Sequence, residues 1–143
     1  MNYPVGSDVI NDTKYITLVK PVLLNLLKES FTHKSTIIDI WVKGSSGAIL
    51  AGMLATHLLE YTVSIKHIKK PKESSHTKNS YLYGSNERVN IIIDDFIETG
   101  KTINSINDEL KNKAISCDIL IVSNKLNLST LTFQPTYVIT TEG

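Results

Sequence analysis

The sequence predicts an α/β fold: a parallel β-sheet flanked by helices. Two observations predict it. From residue 37 onward, short runs rich in β-branched apolar residues alternate with helical patterns, an order that implies crossover connections and helices on both sheet faces. Two unusual loops, 43–47 and 94–102, each follow a strand of this series, and in such sheets ligands sit at the carboxyl ends of the strands.

The chain has 143 residues, enough for one compact domain. Residues 1–14 are polar and turn-rich and read as a surface arm or cap. From Ile16 to Phe31, Leu18, Val22, Leu23, Leu26 and Leu27 recur at helical spacing, with Pro21 assigned to the first turn. Ile37–Val42 is a buried strand, ending at Lys43-Gly44-Ser45-Ser46-Gly47. Ala48–Glu60 is helical and Tyr61–Ile68 strand-like. Residues 69–88 lack a period, are rich in Lys, Ser and Asn, and read as one long loop. Val89–Ile93 is a strand, Thr102–Lys113 a helix, Cys117–Ser123 a strand and Thr136–Thr140 another.

Bulk chemistry excludes several classes. Hydrophobic residues make up 41% and the formal net charge is +1, so nothing global points to nucleic acid or a membrane. No apolar run is long enough to span a bilayer. A single cysteine, Cys117, leaves no internal disulfide and no cysteine-rich metal site. Met1-Asn2-Tyr3-Pro4 lacks the basic-then-apolar order of a signal peptide, so the expected location is the cytoplasm.

The strongest local signal runs from Ile91 to Thr102. A buried strand delivers two adjacent carboxylates, Asp94 and Asp95, and a turn containing Thr99 and Gly100 then opens a helix. Consecutive residues leaving a strand point to opposite sides, so the two acids need not share one job. The free N–H groups of a helix N-terminus form an anion site, to which Thr99 and Thr102 add hydroxyls. Gly100 lets the backbone approach a phosphate closely. A carboxylate pair beside such a cradle suits a ligand with sugar hydroxyls, a phosphate and a bound Mg²⁺. Gly100-Lys101-Thr102 also mimics the end of a P-loop, but the earlier glycine of that motif is missing.

This segment resembles the signature of the type I phosphoribosyltransferases, which bind 5-phosphoribosyl-1-pyrophosphate (PRPP). The resemblance implies that Asp94 and Asp95 lie beside the ribose, holding its hydroxyls directly or through Mg²⁺. It implies that Glu98, Thr99, Gly100, Lys101 and Thr102 wrap the 5′-phosphate. Lys43, Gly44, Ser45 and Ser46 resemble the family's pyrophosphate loop, which often carries a non-proline cis peptide. The stretch with Lys69, Lys70, Lys72 and His76 resembles the catalytic loop of orotate-type enzymes, where cations meet a leaving group that gains charge. Glu98 and Lys101 resemble the hypoxanthine-guanine branch instead. In that branch Glu98 handles a ring proton, Lys125 meets the exocyclic oxygen, and Tyr137 with Val138 forms the purine-stacking segment.

The resemblance therefore implies one domain over 1–143, with 1–36 and 126–143 as hood or edge elements of a short variable hood. The implied activity is transfer of the phosphoribosyl group of PRPP to a nucleobase with release of pyrophosphate, a purine being favoured over orotate. The implied assembly is a homodimer, with no nucleic-acid or membrane partner. The alternative is a PRPP-binding regulator without turnover.

Overall fold

The computed structural model describes residues 12–34, 36–68, 85–95, 100–123 and 127–141. In chain order these form α1 (Asp12–Glu29), β1 (Ile37–Val42), α2 (Ser45–Ala55), β2 (Thr62–His67) and β3 (Val89–Asp94). They continue with α3 (Lys101–Asn112), β4 (Ile119–Val122), a 3-10 turn at Leu128–Thr130 and β5 (Tyr137–Thr140). The strands make one five-stranded sheet in the order β2-β1-β3-β4-β5, and every neighbouring pair is parallel. This is the fold class that the alternation of elements predicts.

The sheet is buried on both faces, which is why its central strands read as unbroken apolar runs. Ile38, Ile40, Val42, Ile91 and Ile93 pack under α1 and α2. Their alternates Trp41, Ile92, Leu120 and Val122 pack under α3 through Ile103, Ile106 and Leu110. The winding thus changes face between β1 and β3, which are neighbours in the sheet although β2 lies between them in the chain.

α1 starts four residues earlier than its apolar spacing suggests, and the apolar face is rotated. Tyr15, Val19, Leu23 and Leu27 form the buried row, at spacings of four, while Leu18 and Val22 remain 42% and 47% exposed. The Tyr15 hydroxyl anchors the helix by donating to the Leu50 carbonyl at 3.0 Å. Pro21 is consequently inside α1, not in its first turn. It and Thr17, whose carbonyl it cannot bond, both lie on the exposed side, where water can serve that oxygen.

α2 begins at Ser45, so the expected five-residue loop is only Lys43-Gly44, and Ser45, Ser46 and Gly47 belong to the helix. Gly47 permits this: a β-carbon there would lie 2.9 Å from the Ile93 carbonyl oxygen. The described backbone contains no cis peptide.

Buried charges at the amino ends of the strands are paired. Asp118 accepts two 2.9 Å bonds from the Lys34 ammonium and one of 2.8 Å from the Asn90 backbone N–H. Arg88 bonds both oxygens of Asp39, which is wholly buried. These pairs fix the approach to β3 and leave the opposite end of the sheet for function.

Candidate functional site

The Trp41↔Ile92 pairing, carried two residues further, sets Lys43, the first residue after β1, level with Asp94, the last of β3. Neighbouring parallel strands lie about 4.8 Å apart. The loop after β1 and the carboxylates after β3 therefore meet at the point where the winding reverses, the place where open α/β sheets bind ligands.

Asp94 is the last residue of β3 and is half-buried; Asp95 is only 8% exposed. The Asp95 backbone N–H donates to Asp94 Oδ1 at 2.9 Å. Burial, reinforced by the side chain and charge of Asp95, pushes the Asp94 carboxyl up to about 7. A second acid beside a desolvated first one is a site that favours either a proton or a cation.

The turn that holds the acids is braced from the next strands. Ser123 donates its backbone N–H to the Asp94 carbonyl at 3.2 Å and its hydroxyl to the Asp95 carbonyl at 3.3 Å. The Thr141 hydroxyl donates in turn to the Ser123 carbonyl. Both are polar residues directly after an apolar strand, a signal present in the sequence but not used there.

Gly100 opens α3 with φ +78°, the left-handed region that favours glycine. Lys101 and Thr102 occupy the exposed first turn behind it. Segment 127–132 lies against this turn, held by Asn104. The Asn104 amide donates to the Thr130 carbonyl at 2.9 Å, and its oxygen accepts the Thr132 N–H at 2.8 Å.

On the β1 side, the half-buried Lys43 donates to Ser105 Oγ at 2.6 Å. Gly44 is extended and has open space where a β-carbon would stand. Ser45 and Ser46 form the first turn of α2. The structure thus brings Asp94, Asp95, Lys43, Gly44, Ser45 and Ser46 to one end of the sheet, with Gly100, Lys101 and Thr102 opening α3.

Tyr137 is not brought to that end. It starts β5 opposite Ile119, at the amino end of the sheet, while Thr140 is the β5 residue level with Val122 and Asp94. Its ring meets Phe31 edge-on at 5.7 Å and its hydroxyl donates to Ser30 Oγ at 3.3 Å. Tyr137 thus packs against the residues that follow α1. Val138 faces the other side of the sheet, in a groove of about 600 Å³ with Leu131, Phe133 and Pro135. Lys69, Lys70, Lys72, His76, Glu98, Thr99 and Lys125 lie outside the described residues.

Among the described residues no three His, Cys, Asp or Glu side chains cluster as a metal site. The donor set at Asp94–Asp95 nevertheless fits Mg²⁺, which takes one or two carboxylates and leaves its other positions to phosphate oxygens and water. Among the described residues no helix is long and apolar enough to cross a membrane.

The sequence matches no protein-family model and no curated protein. Solved structures share its fold. Adenine phosphoribosyltransferase from Saccharomyces cerevisiae superposes with a TM-score of 0.67 at 19% identity, over 92% of this chain and 80% of that one. Hypoxanthine phosphoribosyltransferase from Staphylococcus aureus gives 0.62 at 16% identity, over 100% and 83%. The Trypanosoma cruzi hypoxanthine enzyme, solved with its product IMP, gives 0.61 at 14%, over 96% and 81%. All three superpose over most of this chain, and its fold is that of the type I phosphoribosyltransferases.

Proposed function

We propose that the chain is a phosphoribosyltransferase that moves the 5-phosphoribosyl group of PRPP to a nucleobase and releases pyrophosphate. The observation that carries this reading is the Asp94–Asp95 pair, ending the central strand level with Lys43 and followed by a glycine-opened helix. Three anionic or hydroxylic parts of PRPP then find matching partners. The 5′-phosphate meets the N–H groups and hydroxyls at the start of α3, with Glu98 and Thr99 preceding it in the sequence. The ribose hydroxyls meet Asp94 and Asp95. The pyrophosphate meets Lys43, Gly44, Ser45 and Ser46, with Lys69, Lys70, Lys72 and His76 supplying further cationic character as it departs.

Asp94 and Asp95 would hold Mg²⁺, directly or through water and ribose oxygens. Bound there, the ion would supply charge balance between pyrophosphate and ribose. The carboxylates themselves orient the sugar and stabilise the electron-poor C1 as the bond to pyrophosphate lengthens. Glu98 is the base, or base-positioning group, for the incoming ring nitrogen, and Lys125 the contact to its exocyclic oxygen. A purine acceptor is favoured over orotate, in keeping with the adenine and hypoxanthine enzymes that share the fold. A cytoplasmic homodimer completes the reading.

Incubating the purified chain with Mg²⁺, PRPP and a panel of purines and pyrimidines, and weighing the products by mass spectrometry, tests it. One new nucleotide establishes the transfer and names the base. PRPP binding without any nucleotide would replace the enzyme by a PRPP-binding regulator, and no PRPP binding would remove both.

A further inference from the structure

We infer that Ser105 is the positioning residue for the Lys43 ammonium, and that through it α3 sets the cation that receives pyrophosphate. The inference rests on the PRPP reading above and deepens it. Lys43 stands in a two-residue loop between β1 and α2, next to Gly44, which has no side chain to hold the lysine stem. A lysine stem is rich in rotamers, and a free ammonium would be spread over many positions. Ser105 removes that freedom with a 2.6 Å bond reaching across 62 residues of chain.

An ammonium has three donors, so two remain for an anion at the carboxyl ends of the strands. Ser105 lies on the second turn of the helix whose first turn follows Gly100. The neighbouring Asn104 ties the other side of that turn to Thr130 and Thr132. One helix thus carries the 5′-phosphate cradle at its start and the Lys43 anchor one turn later. The spacing between the two anion subsites is then a property of α3, and a ligand with phosphates at both ends is measured against it.

Titration calorimetry with pyrophosphate, and separately with ribose 5-phosphate, on the wild type, Lys43→Ala, Ser105→Ala and Ser105→Thr tests this. Ser105→Ala is expected to weaken pyrophosphate about tenfold, the size of a charge-assisted hydrogen bond. It should leave ribose 5-phosphate within about twofold, and Ser105→Thr, which keeps the hydroxyl, should recover most of the loss. A purely structural role for Ser105 would lower both affinities together, and that outcome overturns the inference. So does unchanged or tighter pyrophosphate binding in Ser105→Ala while Lys43→Ala weakens it, for Lys43 would then act without its anchor. A wild-type chain that binds neither ligand would remove the PRPP reading and this inference with it.

Discussion

A β-carbon on Gly47 would stand 2.9 Å from the Ile93 carbonyl oxygen and 3.4 Å from the Val42 β-carbon. The first turn of α2 therefore rests on the strand that ends in Asp94, with no room between them. The contact is to backbone, which cannot turn aside as a flexible side chain could. Gly47→Ala must push α2 off β3 and is expected to cost about 1–3 kcal/mol, the usual range for overpacking. Because α2 begins directly behind Lys43-Gly44, the displacement should also reach ligand binding. Chemical denaturation and PRPP affinity should fall together; a variant with wild-type stability would show that α2 is not held against β3 by this glycine.

Gly100 is the second position where a methyl group has no place, for a different reason. Its φ of +78° is unfavourable for any residue with a β-carbon, and that carbon would meet the Thr130 hydroxyl at 2.7 Å and carbonyl at 2.8 Å. Gly100→Ala is expected to lose about 1–3 kcal/mol from backbone strain, and to loosen segment 127–132 from α3. Adding Thr130→Ala removes the hydroxyl but not the carbonyl, so the double variant should recover only part of the loss. Full recovery would assign the whole effect to the side chain and none to the backbone.

The sheet was legible because a strand buried on both faces is written as a continuous apolar run, as in Ile37–Val42 and Val89–Ile93. The Asp94–Asp95 pair was legible because two acids directly after such a run interrupt it. The α1 face was not: Leu18 and Val22 are apolar yet exposed, while the buried row begins at Tyr15, between the polar arm and the helical spacing. In sequence, an aromatic at a strand start looks the same whether it stacks on a ligand or meets another ring edge-on, as Tyr137 meets Phe31. Lys43–Ser105, Asn104–Thr130 and Ser123–Thr141 join polar residues 62, 26 and 18 positions apart. Such pairs have no period, and only the folded chain reveals which serine faces which lysine.

Ala114 reverses the glycine arguments. It follows α3 with φ 59°, and its backbone N–H bonds to the Lys111 carbonyl, while that of Ile115 bonds to the Leu110 carbonyl, each at 2.9 Å. This is the helix-ending arrangement that usually has glycine in the left-handed position. Alanine tolerates it at a cost, so Ala114→Gly is expected to stabilise the chain by about 0.5–1 kcal/mol, net of the entropy glycine adds to the unfolded state. The site lies at the far end of α3 from Gly100, so ligand affinities should not move. A lower melting temperature would mean that the unfolded-state entropy outweighs the relief of strain.

Asp94 links stability, pH and ligand in one group. Folding raises its carboxyl from an ordinary 3.8 to about 7, first through burial and then through Asp95. The folded chain thus holds a proton that the unfolded chain gives up. The stability tied to that proton is fully present below about pH 4 and is lost as pH rises to about 7. Asp94→Asn, which cannot ionise, should escape the loss and exceed the wild type at pH 8 by on the order of 1–3 kcal/mol. Binding runs the other way. A cation and ribose hydroxyls need the ionised carboxylate, so wild-type affinity for PRPP with Mg²⁺ should drop several-fold per pH unit below 7. The Asp94→Asn variant should give an affinity that is low and nearly flat over the same range. Denaturation and calorimetry between about pH 4 and pH 8 measure both slopes. Parallel profiles for wild type and variant would show that the proton counted at Asp94 is not the one that opposes the ligand.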